Sequence, residues 1–199
     1  MLKLYYSDIR GVDEKEAKFP ASSASHGSAL AMSLLAAAYE DYKGGKFPRV
    51  KKLLSGKPFF EDKSAPYFSL SHSRTHVMCA LSDSPVGVDT QDFRDTPPRF
   101  IEKLTTDKER ELLSFFDIWA LRESLFKLTG EGDLRTMRFY KQGETIIPPV
   151  DGVKCRLYSD IPNSSSAVCI REGEFPKRII HIPVRKLLKP DTGLISKIV

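Results

Sequence analysis

The chain has 199 residues, 41 % of them hydrophobic and 29 % charged, with 31 Lys and Arg against 26 Asp and Glu for a formal net charge of +5. That length holds one sizeable core or two small intimate lobes, and the hydrophobic share is that of an ordinary globular protein rather than a disordered one. A basic balance, with a pI near 9.0, suits an anionic small molecule or an acidic protein partner, whereas cations spread along the chain without a nucleic-acid motif argue against nucleic acid.

Met1 to Tyr6 is too short and too alternating for a signal peptide and predicts a first strand over 2–6. Ala29 to Tyr42 is the most apolar helical stretch, predicting a helix over 28–42. It is too short to span a bilayer and ends in Glu40, Asp41 and Lys43, so it faces a core. A mobile turn over 43–46 and a short helix over 48–54 are expected next. Gly56-Lys-Pro58 then presents Lys57 at a turn, suitable for a phosphate point charge.

Strands follow over 67–72 and 76–82, with Ser71, His72 and Ser73 at the turn between them. Hydroxyls, an imidazole and turn amides together make a cradle for phosphate. A nucleophilic Ser activated by His is disfavoured, because neighbours on an extended strand point to opposite sides. Over 85–89, Val86 and Val88 alternate with Gly87 and Asp89, which puts Asp89 at a strand end, where a rigid scaffold holds functional groups.

Helices are expected over 97–104 and 107–128. Phe115 to Leu128 contains no Gly or Pro, and positions 116, 119, 123, 126 and 127 share one face. Glu123 thus lies among aromatic neighbours, where a carboxylate drawn from water needs a cation to stay ionised. Lys127, one turn on, supplies one; so would a metal. Acids from a strand end and a helix together suit Mg²⁺, which takes one or two carboxylates, waters and phosphate oxygens. An ordinary helical ion pair and a turn-forming Asp account for the same residues without any site. Strands run on to about 184, with a mobile turn over 163–166. Helices followed by strand clusters, twice over, give the fold class α+β. Cys79, Cys155 and Cys169 lack metal-ligand spacing and read as buried thiols in a reducing cytoplasm.

The ordered set GKP (56 to 58), FSLSHS (68 to 73), VGVD (86 to 89) and WALRESLFK (119 to 127) resembles the 4'-phosphopantetheinyl transferase family in its longer, surfactin-synthetase-activating branch. The similarity runs from about Lys51 to Leu188. It implies two similar α+β lobes, 1–86 and 87–199, related by a pseudo-twofold axis with coenzyme A between them. It also implies a monomer, needing no second subunit to complete its site, that moves the phosphopantetheine arm of coenzyme A onto a serine of an acidic acyl or peptidyl carrier protein. By the same resemblance Asp89 and Glu123 bind magnesium, Lys127 approaches the pyrophosphate, Ser71 and His72 contact the phosphates, and Lys57 lies on the nucleotide side. Glu109 matches a proposed general base. The proton acceptor is thus Glu109, or Glu123 acting through a water. Residues 90–106 and 129–145 are expected at the carrier contact, with Phe93, Phe100, Leu104, Leu134 and Met137 as its apolar part.

Three departures from the family pattern stand out. Gln91 occupies the place of a second acid, and could bind magnesium through its amide oxygen without adding charge. Arg122 stands for a lysine near the cofactor and changes its hydrogen-bond geometry. No arginine lies in His26 to Leu35, leaving Lys15, Lys18, His26 or Arg49 to grip the 3'-phosphate. The alternatives to a transferase are a catalytically impaired coenzyme A binder of the same fold and a basic α+β domain for nucleic acid.

Overall fold

The computed structural model describes residues 1–19 and 27–190. Strand β1 (Leu2–Asp8) precedes helix α1 (Ser28–Tyr42), a small hairpin of β2 (Val50–Lys52) and β3 (Pro58–Phe60), and three strands, β4 (Tyr67–His72), β5 (His76–Ser82) and β6 (Val86–Asp92). Helices α2 (Pro98–Leu104), α3 (Asp107–Arg110) and α4 (Phe115–Thr129) come next, then β7 (Tyr140–Gln142), β8 (Thr145–Ile147), β9 (Lys154–Tyr158), β10 (Ser164–Ile170) and β11 (Ile180–His181). The α+β class follows directly.

Two sheets carry the fold. One has the order β11-β1-β5-β4, the other β6-β10-β9-β8-β7. Strand periodicity explains why β5 and β10 are buried along their whole length. In β5, Val77, Cys79 and Leu81 pack under α1 while Met78 and Ala80 face the second sheet. In β10, Ala167 and Cys169 pack under α4 while Val168 and Ile170 face the first sheet. Alternate side chains therefore fill different layers, helix on sheet on sheet on helix.

Serine hydroxyls stitch the two sheets together where β4 meets β6. Ser69 and Ser71 accept the backbone N–H groups of Val88 and Thr90 at 3.1 and 3.2 Å. Helix α4 lies so close on β6 that a Cβ at Gly87 would stand 1.9 Å from the Ser124 carbonyl oxygen. Only glycine permits that approach.

Four expectations are corrected. Residues 48–54 enter the β2–β3 hairpin, where Val50 and Phe60 pair and Gly56 takes φ 84° in the turn. The helix expected over 107–128 breaks, because Ser114 caps α4: its hydroxyl accepts the Asp117 N–H while Asp117 accepts the Ser114 N–H. Residues 164–166 are not a mobile turn but the buried start of β10, with Ser165 donating to Asp117 at 2.6 Å. A division at residue 86 also fails at the C-terminal end, since β11 pairs parallel with β1 and Ile182 and Leu187 join the core under α1.

Candidate active site

Strand β6 points Val86 and Val88 into the core between the sheets, so its other face carries Gly87 and then Asp89 toward α4. Asp89 is buried, 3 % exposed. Three donors surround its carboxylate. Lys127 Nζ on α4 lies 2.7 Å from Oδ1, Ser71 Oγ donates to the same oxygen at 2.7 Å, and the Gln91 amide donates to Oδ2 at 2.6 Å. Helix periodicity puts Glu123 one turn before Lys127 on the same face.

Lys127 therefore pairs with Asp89 rather than with Glu123, and among the described residues the Glu123 carboxylate has no hydrogen bond. Burial pushes the Glu123 carboxyl above the usual carboxylate range, the nearby charge of Asp89 adds to this, and Lys127 offsets only part of it. Two acids thus face each other across a strand and a helix, with one cation between them. A hard divalent ion with open positions suits that donor set, two carboxylates and a neighbouring amide. Among the described residues no group of three or more His, Cys, Asp or Glu gathers to hold a metal by itself.

A cavity of about 270 Å³ opens beside this cluster, lined by Lys57, Pro58, Ser69, Leu70, Glu123 and Lys127. Lys57 donates to the backbone carbonyl of Lys127, and burial pulls its ammonium below the usual lysine range. On the other side of Gln91 a second cleft of about 420 Å³ is lined by His72, Ser73, Arg74, Asp92 and Arg94. His72 packs against Gly27, which leads into α1, so closely that a Cβ there would lie 3.1 Å from His72 Cβ. A larger cavity, about 760 Å³, lies between Lys141 and Arg156 at the far edge of the second sheet. None of the acids or lysines of the cluster lines it, so size is no guide to the chemistry.

The structure thus brings Asp89, Glu123, Lys127, Gln91, Ser71 and Lys57 together, with His72 in the adjoining cleft. Glu109 and Arg122 are not with them. Arg122, the residue before Glu123 on α4, lies about 100° round the helix from it and points into the interior, where its guanidinium donates to Glu109 at 2.9 Å and to the Leu104 carbonyl at 2.6 Å. Both side chains are fully buried. Burial raises Glu109, but the Thr106 amide and hydroxyl with Arg122 outweigh it and hold the carboxyl below its usual range. A base or a cofactor contact has to reach the ligand. These two serve as an internal ion pair instead.

Sequence reasoning set Ser73 in the turn but missed Ser69 and Asp92. The serines carried a signal, because Ser69, Ser71 and Ser73 alternate and so share one face of a strand; Asp92 carried none. His26 lies outside the described residues. Of the other candidates for a 3'-phosphate, Arg49 sits 3.9 Å from Glu61.

The fold and site define an α+β protein whose acids and lysines converge where α4 packs over β6 beside β4, next to a cleft lined by Lys57, Leu70, Glu123 and Lys127. Comparison with known proteins narrows this further. The family model of the 4'-phosphopantetheinyl transferase superfamily matches residues 85–171, which includes Asp89, Gln91, Glu123 and Lys127. The chain is 28 % identical to 4'-phosphopantetheinyl transferase Sfp of Bacillus subtilis strain 168, over 67 % of each chain. It is 31 % identical to 4'-phosphopantetheinyl transferase psf-1 of Bacillus pumilus, over 65 % of this chain and 62 % of that one. Against the gsp transferase of Aneurinibacillus migulanus the identity is 31 %, over 55 % and 59 %. The aligned part therefore spans about two thirds or less of these relatives' own lengths. This chain is thus similar to the 4'-phosphopantetheinyl transferases, by the superfamily model over residues 85–171 and by these relatives over about two thirds of its length or less.

Proposed function

We propose that this chain transfers the 4'-phosphopantetheine arm of coenzyme A to a serine of an apo carrier protein, with magnesium, releasing adenosine 3',5'-bisphosphate. The observation that carries the reading is the meeting of Asp89, Glu123 and Lys127 from a strand and a helix distant in sequence. Asp89 and Glu123 would hold magnesium, with Gln91 beside them, and the ion would neutralise charge developing on the phosphoryl oxygens. Lys127 presents its ammonium to the pyrophosphate, supplying positive charge already in place before the reaction. His72 and Lys57 flank the phosphates on the two sides of the cluster, and Ser71 acts through Asp89. With Glu109 sealed in the core, Glu123 or a water it holds accepts the serine proton, and its raised proton affinity suits that task.

The carrier approaches past residues 90–106, where Phe93 and Phe100 are exposed and Arg94 and Arg99 stand beside them. Leu104 and Met137 belong to the buried interior and leave the contact surface. A net charge of +5 favours an acidic partner. We place the protein in the cytoplasm as a monomer; among the described residues no helix is long and apolar enough to cross a membrane.

The test is the mass gained by an apo carrier protein mixed with coenzyme A, magnesium and this chain. Asp89→Ala and Glu123→Ala abolish the gain, and undiminished transfer by both defeats the site assignment. Gln91 in place of an acid favours one second reading, a coenzyme A binder that does not turn over. Calorimetry showing binding, with no transfer to any of several carriers, selects it.

A further inference from the structure

Asp92, the last residue of β6, reaches into the turn between β4 and β5. Its Oδ1 accepts from Ser73 Oγ at 2.7 Å and from Thr75 Oγ1 at 2.6 Å, and its Oδ2 accepts from the Thr75 N–H at 3.1 Å. His76 Nδ1 stands 3.6 Å from Oδ1 and shares a 2.7 Å hydrogen bond with Thr75 Oγ1. The side chain is 16 % exposed, and among the described residues no Lys or Arg pairs with it, although Arg74 and Arg94 line the same cleft. Hydroxyls and an amide therefore do the work of a counter-ion.

The turn so held begins at His72. On one side of it Ser71 is bonded to Asp89, and on the other Ser73 is bonded to Asp92. Two carboxylates three residues apart on β6 thus grip the residues before and after one histidine. A bare carboxylate beside an anionic ligand would repel it, so Asp92 is unsuited to ligand contact. With three donors directed at it, its charge is spent on the turn.

We infer that Asp92 is a positioning residue, which together with Asp89 pins His72 to the cleft wall and so sets the grip on an anionic phosphate ligand. This rests on the reading of His72 as a phosphate contact. Calorimetry of coenzyme A binding to the full chain, without carrier or turnover, tests it with Asp92→Ala, His72→Ala and the double variant. Losing one charge-assisted contact corresponds to about a tenfold weakening. Asp92→Ala therefore weakens binding about as much as His72→Ala, and the double variant is no weaker than either. Asp92→Asn, which keeps an acceptor oxygen for the hydroxyls, recovers most of the affinity. Should Asp92→Ala fail to fold, Ser73→Ala with Thr75→Val removes its two hydroxyl hydrogen bonds, leaving only that from the Thr75 N–H, and serves instead. Wild-type affinity in Asp92→Ala, or losses at Asp92 and His72 that simply multiply, overturns the inference while leaving the transferase reading intact. A wild-type chain that binds no coenzyme A brings down the transferase reading, and this inference with it.

Discussion

Lys127 Nζ lies 2.7 Å from Asp89 Oδ1 and so commits the one ammonium of the α4 face to the strand acid. Glu123, a turn earlier, is left as a half-buried carboxylate without a hydrogen bond among the described residues. In the free protein this is an electrostatic cost. It is also the arrangement that a bound cation relieves.

Replacing Glu123 by Gln removes that cost. Because the folded carboxyl has its pKa raised, its favourable contribution is complete below the unfolded value of about 4.3 and is lost as pH rises through the folded value. Glu123→Gln is therefore more stable than wild type at pH 7 in chelator, and the difference closes as the pH falls toward 4. Thermal unfolding across pH measures it. Added magnesium raises the melting temperature of wild type but not of the variant, while transfer is lost; a variant less stable than wild type at neutral pH would contradict the account.

Glu109 gives the opposite result. Removing one partner of a fully buried ion pair strands the other charge, at a cost of about 3–5 kcal/mol. Glu109→Ala lowers the urea midpoint accordingly, because Arg122 keeps only the Leu104 carbonyl. A residue acting solely as a base would lose turnover with an unchanged midpoint, and that outcome would restore it to the catalytic set.

Gly87→Ala tests the contact of α4 with β6. Its methyl group would meet the Ser124 carbonyl at 1.9 Å and the Leu128 nitrogen at 2.6 Å, both backbone atoms that cannot rotate away. Overpacking of this kind costs about 1–3 kcal/mol and occasionally more. Moving the helix outward also carries Glu123 and Lys127 away from Asp89. Denaturant titration and transfer assays on the same preparation fall together; unchanged stability would show that the helix can withdraw freely.

All three cysteines are free and buried. Burial pushes the Cys79 thiol well up, and the neighbouring Cys169 thiol together with burial does the same to Cys155. Thiolate is the reactive form. An aromatic disulfide reagent at pH 8 therefore labels almost nothing in the native chain and three thiols after denaturation. Rapid labelling of the native chain would mean that these strands open readily.

Much of the architecture was written in local pattern. The apolar run from Ser28 to Tyr42 is helix over the whole range expected, and the runs expected as strands over 67–72 and 76–82 are strands. The break before α4 was legible too. Thr106 with Glu109 and Ser114 with Asp117 both form capping boxes, so two helix starts were spelled out where one long helix was expected. Val50–Lys52 was not decidable locally, because three residues form a strand only when Pro58–Phe60 returns to pair with them. Ser164 to Ser166 look like a loop because serines prefer water. Ser164 bonds locally to Ile161, but the partners of Ser165 and Ser166, Asp117 and Thr90, come from elsewhere in the chain.

For the site, sequence alone determined which residues are chemically able to act: the two acids, the lysine one turn from Glu123, and the histidine at a turn. Residue type and helix or strand period are local properties, and a linear text records them. Tertiary structure decided which of them meet. It gave Lys127 to Asp89 instead of Glu123, sealed Glu109 and Arg122 inside the core, and brought Asp92 to the His72 turn. Burial and charge pairing depend on segments far apart along the chain, so no local pattern could have foretold those three outcomes.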